Sequence, residues 1–195
     1  QQGWTPPSDW IDISSVGDNE INLLVGDGLG IAFIVELDSG TYSVDWGDGT
    51  IDTNLGDGYV DHIYTYNSGT PVSTGGSIYK IRIFDASANI VLFQMTSVSS
   101  YYIGTTPQLQ NVLWAVFGTN HLTTISGMFH GYGENPVTCP YLQAVTLPEL
   151  TECLSAEYTF SLCQSLVSVD LPTSWGAITS VAGFFYDCTS LRYFT

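Results

Sequence analysis

The amino-acid sequence predicts a mainly β protein: an antiparallel β-sandwich over residues 15–97, preceded by an extended arm over 1–14 and followed by a solenoid of short repeats over 105–195. Three observations carry this. The first half consists of apolar runs of five to seven residues cut by Gly, Asp, Asn and Ser turns. Helical periodicity is absent from that half. The second half repeats itself at an offset of 24 to 25 residues.

The arm comes first. Trp4-Thr-Pro-Pro-Ser-Asp-Trp10 cannot form a central strand, because its prolines donate nothing to a ladder. It reads as an extended segment laid on the sandwich and pinned by two tryptophans. The expected strands are Ile21–Val25, Ile31–Leu37, Tyr42–Trp46, Val60–Tyr66, Ile78–Phe84 and Ile90–Met95, with a polar loop at Asn67–Ser77. Val, Ile, Tyr and Phe dominate these runs, as strands of a sandwich require.

In the second half, Leu142-x-x-Val145-x-Leu147-Pro148 recurs as Leu166-x-x-Val169-x-Leu171-Pro172. Phe160-x-x-Cys163-x-x-Leu166 recurs as Phe185-x-x-Cys188-x-x-Leu191. Leu109-x-x-Val112-x-Trp114 reads as a weaker first copy, and Leu191-x-x-Phe194 begins another. The gap of 33 residues from Leu109 to Leu142 implies an insertion around Gly131–Pro140. A short strand followed by a turn that inserts Phe and Cys is a leucine-rich-repeat pattern, in which each unit buries its apolar face only against a neighbour. The pattern stops mid-repeat at Thr195 without a polar cap. The expectation is that the chain continues or that another subunit covers the open end.

Composition narrows the function. Acidic residues number 19 against three basic ones, Lys80, Arg82 and Arg192, for a net charge of −16. Phosphate binding needs clustered Lys and Arg, so nucleic acid is excluded as a partner, and anionic membrane surfaces are disfavoured. No run of 18 apolar residues offers a membrane span, and no membrane insertion is expected. No signal peptide is visible, although an opening Gln1 points to a processed or excerpted chain. A surface rich in neutral hydroxyls and poor in lysine suits virion and extracellular proteins.

Two resemblances follow from these motifs. Tyr42-Ser-Val-Asp-Trp-Gly-Asp-Gly-Thr50, then His62-x-Tyr64, then Ile78-Tyr-Lys-Ile-Arg-Ile83, resembles a PKD-type immunoglobulin-like module. The segment Leu142–Leu191, with Cys163-Gln-Ser-Leu166 and Cys188-Thr-Ser-Leu191, resembles BspA-type leucine-rich repeats. Their combination is similar to tail and surface proteins of bacteriophages, notably of Bacteroidetes hosts, and to secreted bacterial adhesins. The resemblance implies a non-enzymatic virion structural or appendage protein (tail, fibre or capsid decoration) acting in assembly or host attachment. It implies other virion or surface proteins as partners, a homo-oligomer or larger assembly, and a host-surface glycan or protein as ligand. A secreted adhesin is the alternative, and a carbohydrate-active enzyme a more distant one.

Candidate sites are few. Asp45, Asp48, Asp52, Asp57 and Asp61 cluster in Gly-bearing loops, which suits either calcium or turn chemistry. Without D-x-D-x-D-G spacing, turn chemistry is favoured, and no other cofactor is expected. The triplets Gly26-Asp27-Gly28, Gly47-Asp48-Gly49 and Gly56-Asp57-Gly58 are likewise turns. His62 is expected to be a structural hydrogen-bonding residue; His121 and His130 lack a carboxylate at useful spacing and read as surface or packing residues. Glu149 and Glu152 are the nearest thing to a glycosidase pair and read as a solvated face. Nucleophile-elbow, zinc-protease and phosphate-loop motifs are missing, so no catalytic residue is assigned. Cys163 and Cys188 occupy equivalent repeat positions and read as buried free thiols, with pairing of Cys139 and Cys153 left open. Loop aromatics are the remaining candidates for ligand contact: Tyr132, Tyr141, Trp175 and Tyr186, beside Tyr101 and Tyr102.

Overall fold

A computed structural model describes residues 3–28, 30–65, 68–84, 89–96, 108–119, 121–130 and 137–194. Among them there is no helix; the chain is all-β, with its sheets in a sandwich-like arrangement. The first strands are β1 (Glu20–Gly26), β2 (Ile31–Leu37), β3 (Tyr42–Asp45), β4 (Ile51–Leu55), β5 (Gly58–His62), β6 (Thr70–Pro71), β7 (Ser77–Phe84) and β8 (Ile90–Met95). The second half adds β9 (Gln108–Leu109), β10 (Val112–Phe117), β11 (Val137–Thr138), β12 (Ala144–Thr146), β13 (Ser168–Asp170) and β14 (Tyr193–Phe194).

One sheet runs through the molecule in the order β14-β13-β12-β10-β1-β7-β3-β4, with β6 on the far end of β7. Its pairings are antiparallel on the β1 side and parallel from β10 to β14. A second sheet, β5-β2-β8, packs across the first. Aromatic rings make that contact: Phe33 lies 5.6 Å from Trp46, and Phe93 lies 5.6 Å from Phe117 of β10. Alternation explains why these segments are strands. In β3, Tyr42 and Val44 point into the core while Ser43 and Asp45 do not.

The parallel part is a stack of similar chain turns. Ala144, Ser168 and Tyr193 sit in register, as do Val145, Val169 and Phe194. On the return side, Thr124, Ser155 and Ser180 are bridged in parallel. Between the two flanks the rings of Phe129, Phe160 and Phe185 stack with centroids 5.7 and 5.5 Å apart. The return side also joins the sandwich, because Thr123 N–H donates to Val91 O (3.0 Å) and Met95 N–H to Met128 O (2.9 Å). Both layers of the sandwich therefore run into the two flanks of the stack, and one apolar core spans Ile21 to Val169.

The tight corner of each turn sits in left-handed backbone: Gly127 (φ 63), Tyr158 (φ 52) and Gly183 (φ 61). Glycine at 183 has a second reason. A Cβ there would lie 2.3 Å from the Tyr158 ring, so the middle turn carries its tyrosine only because its neighbour carries none.

Several expectations need correction. Residues 51–55, absent from the expected strands, form β4, an edge strand with Ile51–Asn54 exposed and so without an alternating signature. The strand expected at Val60–Tyr66 runs over Gly58–His62 instead, and Tyr66 lies outside the described residues. The sequence pattern starts the first repeat copy at Leu109. Trp114 pairs with Ala144 and Ala115 with Val145, which shifts that copy by three residues, so that Val112 takes the place of Leu142. The spacing from 114 to 144 is then 30, six more than the 24 from 144 to 168, and the surplus falls between His130 and Val137.

Candidate functional site

The arm determines where a site can form. Trp4 meets Trp114 edge-on at 5.4 Å and Trp10 at 6.3 Å, and Ile13 is fully buried. These side chains cover the outer face of the large sheet over Leu24, Ile78, Trp114 and Val116. The arm reaches Ala144 at the start of β12 and leaves Asp170 of β13 and Tyr193 of β14 exposed. A groove of about 680 Å³ remains between it and the outer face of these strands. That volume suits a small-molecule ligand.

Parallel in-register pairing sets its floor. Equivalent residues of neighbouring strands lie roughly 4.8 Å apart, so Ala144, Ser168 and Tyr193 form one row and Thr146 and Asp170 a second. Thr146 Oγ1 donates to Asp170 Oδ2 across the strands (3.2 Å). The arm contributes Trp4, Asp12 and Ser14 to the opposite wall, and Arg192 and Tyr193 close the far end. Asp12 Oδ1 accepts the Ser14 backbone N–H (2.8 Å), a bond that holds its carboxyl below the ordinary carboxylate value.

The three cations fare differently. Arg82 pairs with Glu20 and lies over the Phe84 ring, and Lys80 Nζ reaches Asp12 O at 3.5 Å. Arg192 is exposed in the groove and makes no ion pair among the described residues. No family model, curated protein or solved structure matches this chain. The site is therefore built from its geometry alone.

The ligand-contact candidates do not converge. Tyr141, 47% exposed, lines a second groove of about 570 Å³ on the other side of the arm, with Pro7, Asp9 and Trp10. Trp175 lies edge-on to Phe184 at 6.2 Å, and Tyr186 is exposed on the return side, where its carbonyl accepts the Leu162 N–H. Tyr132, Tyr101 and Tyr102 lie outside the described residues. The residues of the first groove, among them Asp12, Asp170 and Arg192, carry no motif in the sequence. The usable signal is charge scarcity: Arg192, one of only three cations, stands beside two aromatics near the end of the chain.

The carboxylates that could suit calcium are engaged in local bonds. Asp45 Oδ1 accepts Gly47 N–H (3.0 Å), and Asp52 Oδ2 accepts the Trp46 indole N–H (2.9 Å). Asp48 Oδ1 accepts Thr50 N–H and Oγ1–H, and its Oδ2 meets His62 Nε2 at 2.8 Å. His62 in turn stacks on Trp46 at 4.7 Å, and Tyr64 Oη donates to Trp46 O. The whole Trp-Gly-Asp-Gly and His-x-Tyr pattern thus closes into one clasp at the end of the sandwich. Burial pushes the Asp48 carboxyl up, but the bonds from Thr50 and His62 outweigh it and leave it below its ordinary value.

Two further expectations change. His121, expected to lack a carboxylate, has Nδ1 3.5 Å from Glu152 Oε1. Glu149 is turned elsewhere and accepts from Thr173 Oγ1 (2.7 Å) and Ser174 N–H (2.6 Å). All four cysteines are free. Cys139, expected in the inserted loop, stands in line with Cys163 and Cys188, because each precedes by three residues the leucine that opens its strand: Leu142, Leu166 and Leu191.

Proposed function

We propose that this chain is a non-enzymatic structural and attachment component of a virion appendage. In this reading the sandwich is a PKD-type immunoglobulin-like module and the stacked turns are a leucine-rich-repeat solenoid of BspA type. The observation that supports it is the sheet shared by both parts. With β10 hydrogen-bonded to β1 on one edge and β12 on the other, the sandwich holds the open face of the stack at a fixed angle. A rigid mount for an exposed recognition face is what attachment requires. Assembly is served by the return side of the stack, where Leu154 is 55% and Tyr158 38% exposed. Apolar surface of this kind marks protein–protein contact.

The test is the company the native protein keeps. Purified from its source, it is expected to sediment with phage particles and to appear at a fixed copy number per particle. Recovery with cell envelopes instead would assign it to a bacterial adhesin, and recovery as a free monomer would overturn both.

A further inference from the structure

We infer that the groove between the N-terminal arm and strands β12–β14 binds a neutral saccharide. The inference rests on the attachment reading above and names the ligand class for it. The groove combines flat aromatic groups, Trp4 and Tyr193, with hydroxyls of Ser14, Thr146 and Ser168. It adds the carboxylates of Asp12 and Asp170 and the guanidinium of Arg192. A pyranose ring has one face of C–H bonds and a rim of hydroxyls. The first suits an aromatic plane, and the second suits planar groups that donate or accept in pairs.

Charge decides among the ligand classes. The chain carries −16 overall, and the groove holds two carboxylates against one guanidinium. An anionic glycan or phosphate would meet repulsion both at long range and on contact. A purely apolar ligand would strand the hydroxyl and carboxylate groups of the floor without partners. A neutral polyol satisfies them. The guanidinium fork of Arg192 can donate two parallel N–H bonds to adjacent hydroxyls. A carboxylate offers about four lone-pair sites, so Asp170 can accept from a sugar while keeping its bond from Thr146.

The full chain should be applied to an array of neutral gluco-, galacto-, manno- and xylo-oligosaccharides beside sialylated and sulfated ones, with calorimetry on the best neutral hexasaccharide. Binding to a neutral member is expected, weakened at least tenfold by Arg192→Gln and by Tyr193→Ala. Arg192→Gln should leave the melting temperature unchanged, and Tyr193→Ala, at a residue 37% exposed in an edge strand, should lower it slightly without unfolding the chain. Capture of sialylated or sulfated glycans alone, an empty array, or affinity that survives both substitutions overturns the inference. Particle association is read separately. Particle-borne protein with an empty array removes the saccharide and leaves the attachment role, whereas glycan binding by a protein absent from particles does the reverse.

Discussion

The two halves of the molecule share one sheet and one core, yet they are closed by opposite chemistry. The sandwich ends in a polar clasp, in which Asp48, His62, Trp46 and Tyr64 lock a single turn. Among the described residues the stack has no such clasp and is closed by repetition: Phe160 is buried because Phe129 and Phe185 lie on either side of it. A clasp can be weakened by one proton or one Cβ. A stack fails through lost burial, and its inner turn matters more than its outer one.

The sharpest break in the comparison is therefore Phe160→Ala. Truncating a fully buried Phe costs about 3–5 kcal/mol, and Phe160 has no exposed area. Phe185→Ala at the equivalent outer position should cost roughly half as much, because its ring is only partly buried. Because the core is continuous, both losses should appear in chemical denaturation as a shift of one transition. Separate transitions for sandwich and stack would show that the shared sheet does not couple them.

Gly47→Ala attacks the clasp through the backbone. Gly47 has φ 80, and an added Cβ would lie 2.5 Å from the Lys80 carbonyl oxygen. Left-handed strain and overpacking together cost about 3 kcal/mol. Gly49, at φ 94 with open space around it, separates the two effects, and alanine there should cost only about 1–2 kcal/mol. Equal losses in thermal melts would mean that the approach of Lys80 is not what requires glycine at 47.

Much of this architecture is legible in the sequence, for a physical reason. Ile31–Leu37 and Ile90–Met95 stand at their expected bounds because most of their side chains are apolar and at least partly buried, interrupted only by Glu36 and Gln94. The Trp-Gly-Asp-Gly turn is legible because its bonds are local. The edge strand β4 is not, since exposed residues carry no pattern. The first turn of the stack is misaligned by the sequence pattern because Val112 and Ala115 fill positions that later hold Leu and Val, and Leu109 stands where later copies hold Cys. The groove is beyond reach, because Trp4 and Asp12 meet Asp170 and Arg192 across more than 150 residues of chain.

Alkali and acid should part the two halves. Burial pushes the thiols of Cys139 and Cys163 well above their ordinary value of 9.0, and that of Cys188 up to about 11. The unfolded chain therefore loses these protons first. The stability they hold is complete below about pH 8 and falls as the pH rises toward their folded values. Between about pH 9 and 10 the two buried thiols together should cost about 2 kcal/mol. Cys163→Ala should flatten this limb in denaturation curves. Above about pH 10 the comparison blurs, since Tyr42 in the sandwich, raised by burial to about 12, joins in.

The acid limb belongs to the clasp and is the smallest effect. Asp48 is held below its ordinary value of 3.8 in the folded chain, so its contribution is present above that value and disappears as the pH falls through the folded one. Solvent screens the pair at this partly exposed turn, which keeps the expected loss to about 1 kcal/mol. Asp48→Asn removes the titrating group while keeping an acceptor for Thr50, so the variant should start lower at neutral pH and lose less between about pH 5 and 2. Other carboxylates are also held low, Glu20 by Arg82 among them, so the slope will not vanish. If wild type and variant fall in parallel, the clasp is held by the Trp46–His62 stack and the Tyr64 hydroxyl, and the Asp48 carboxylate is incidental to it.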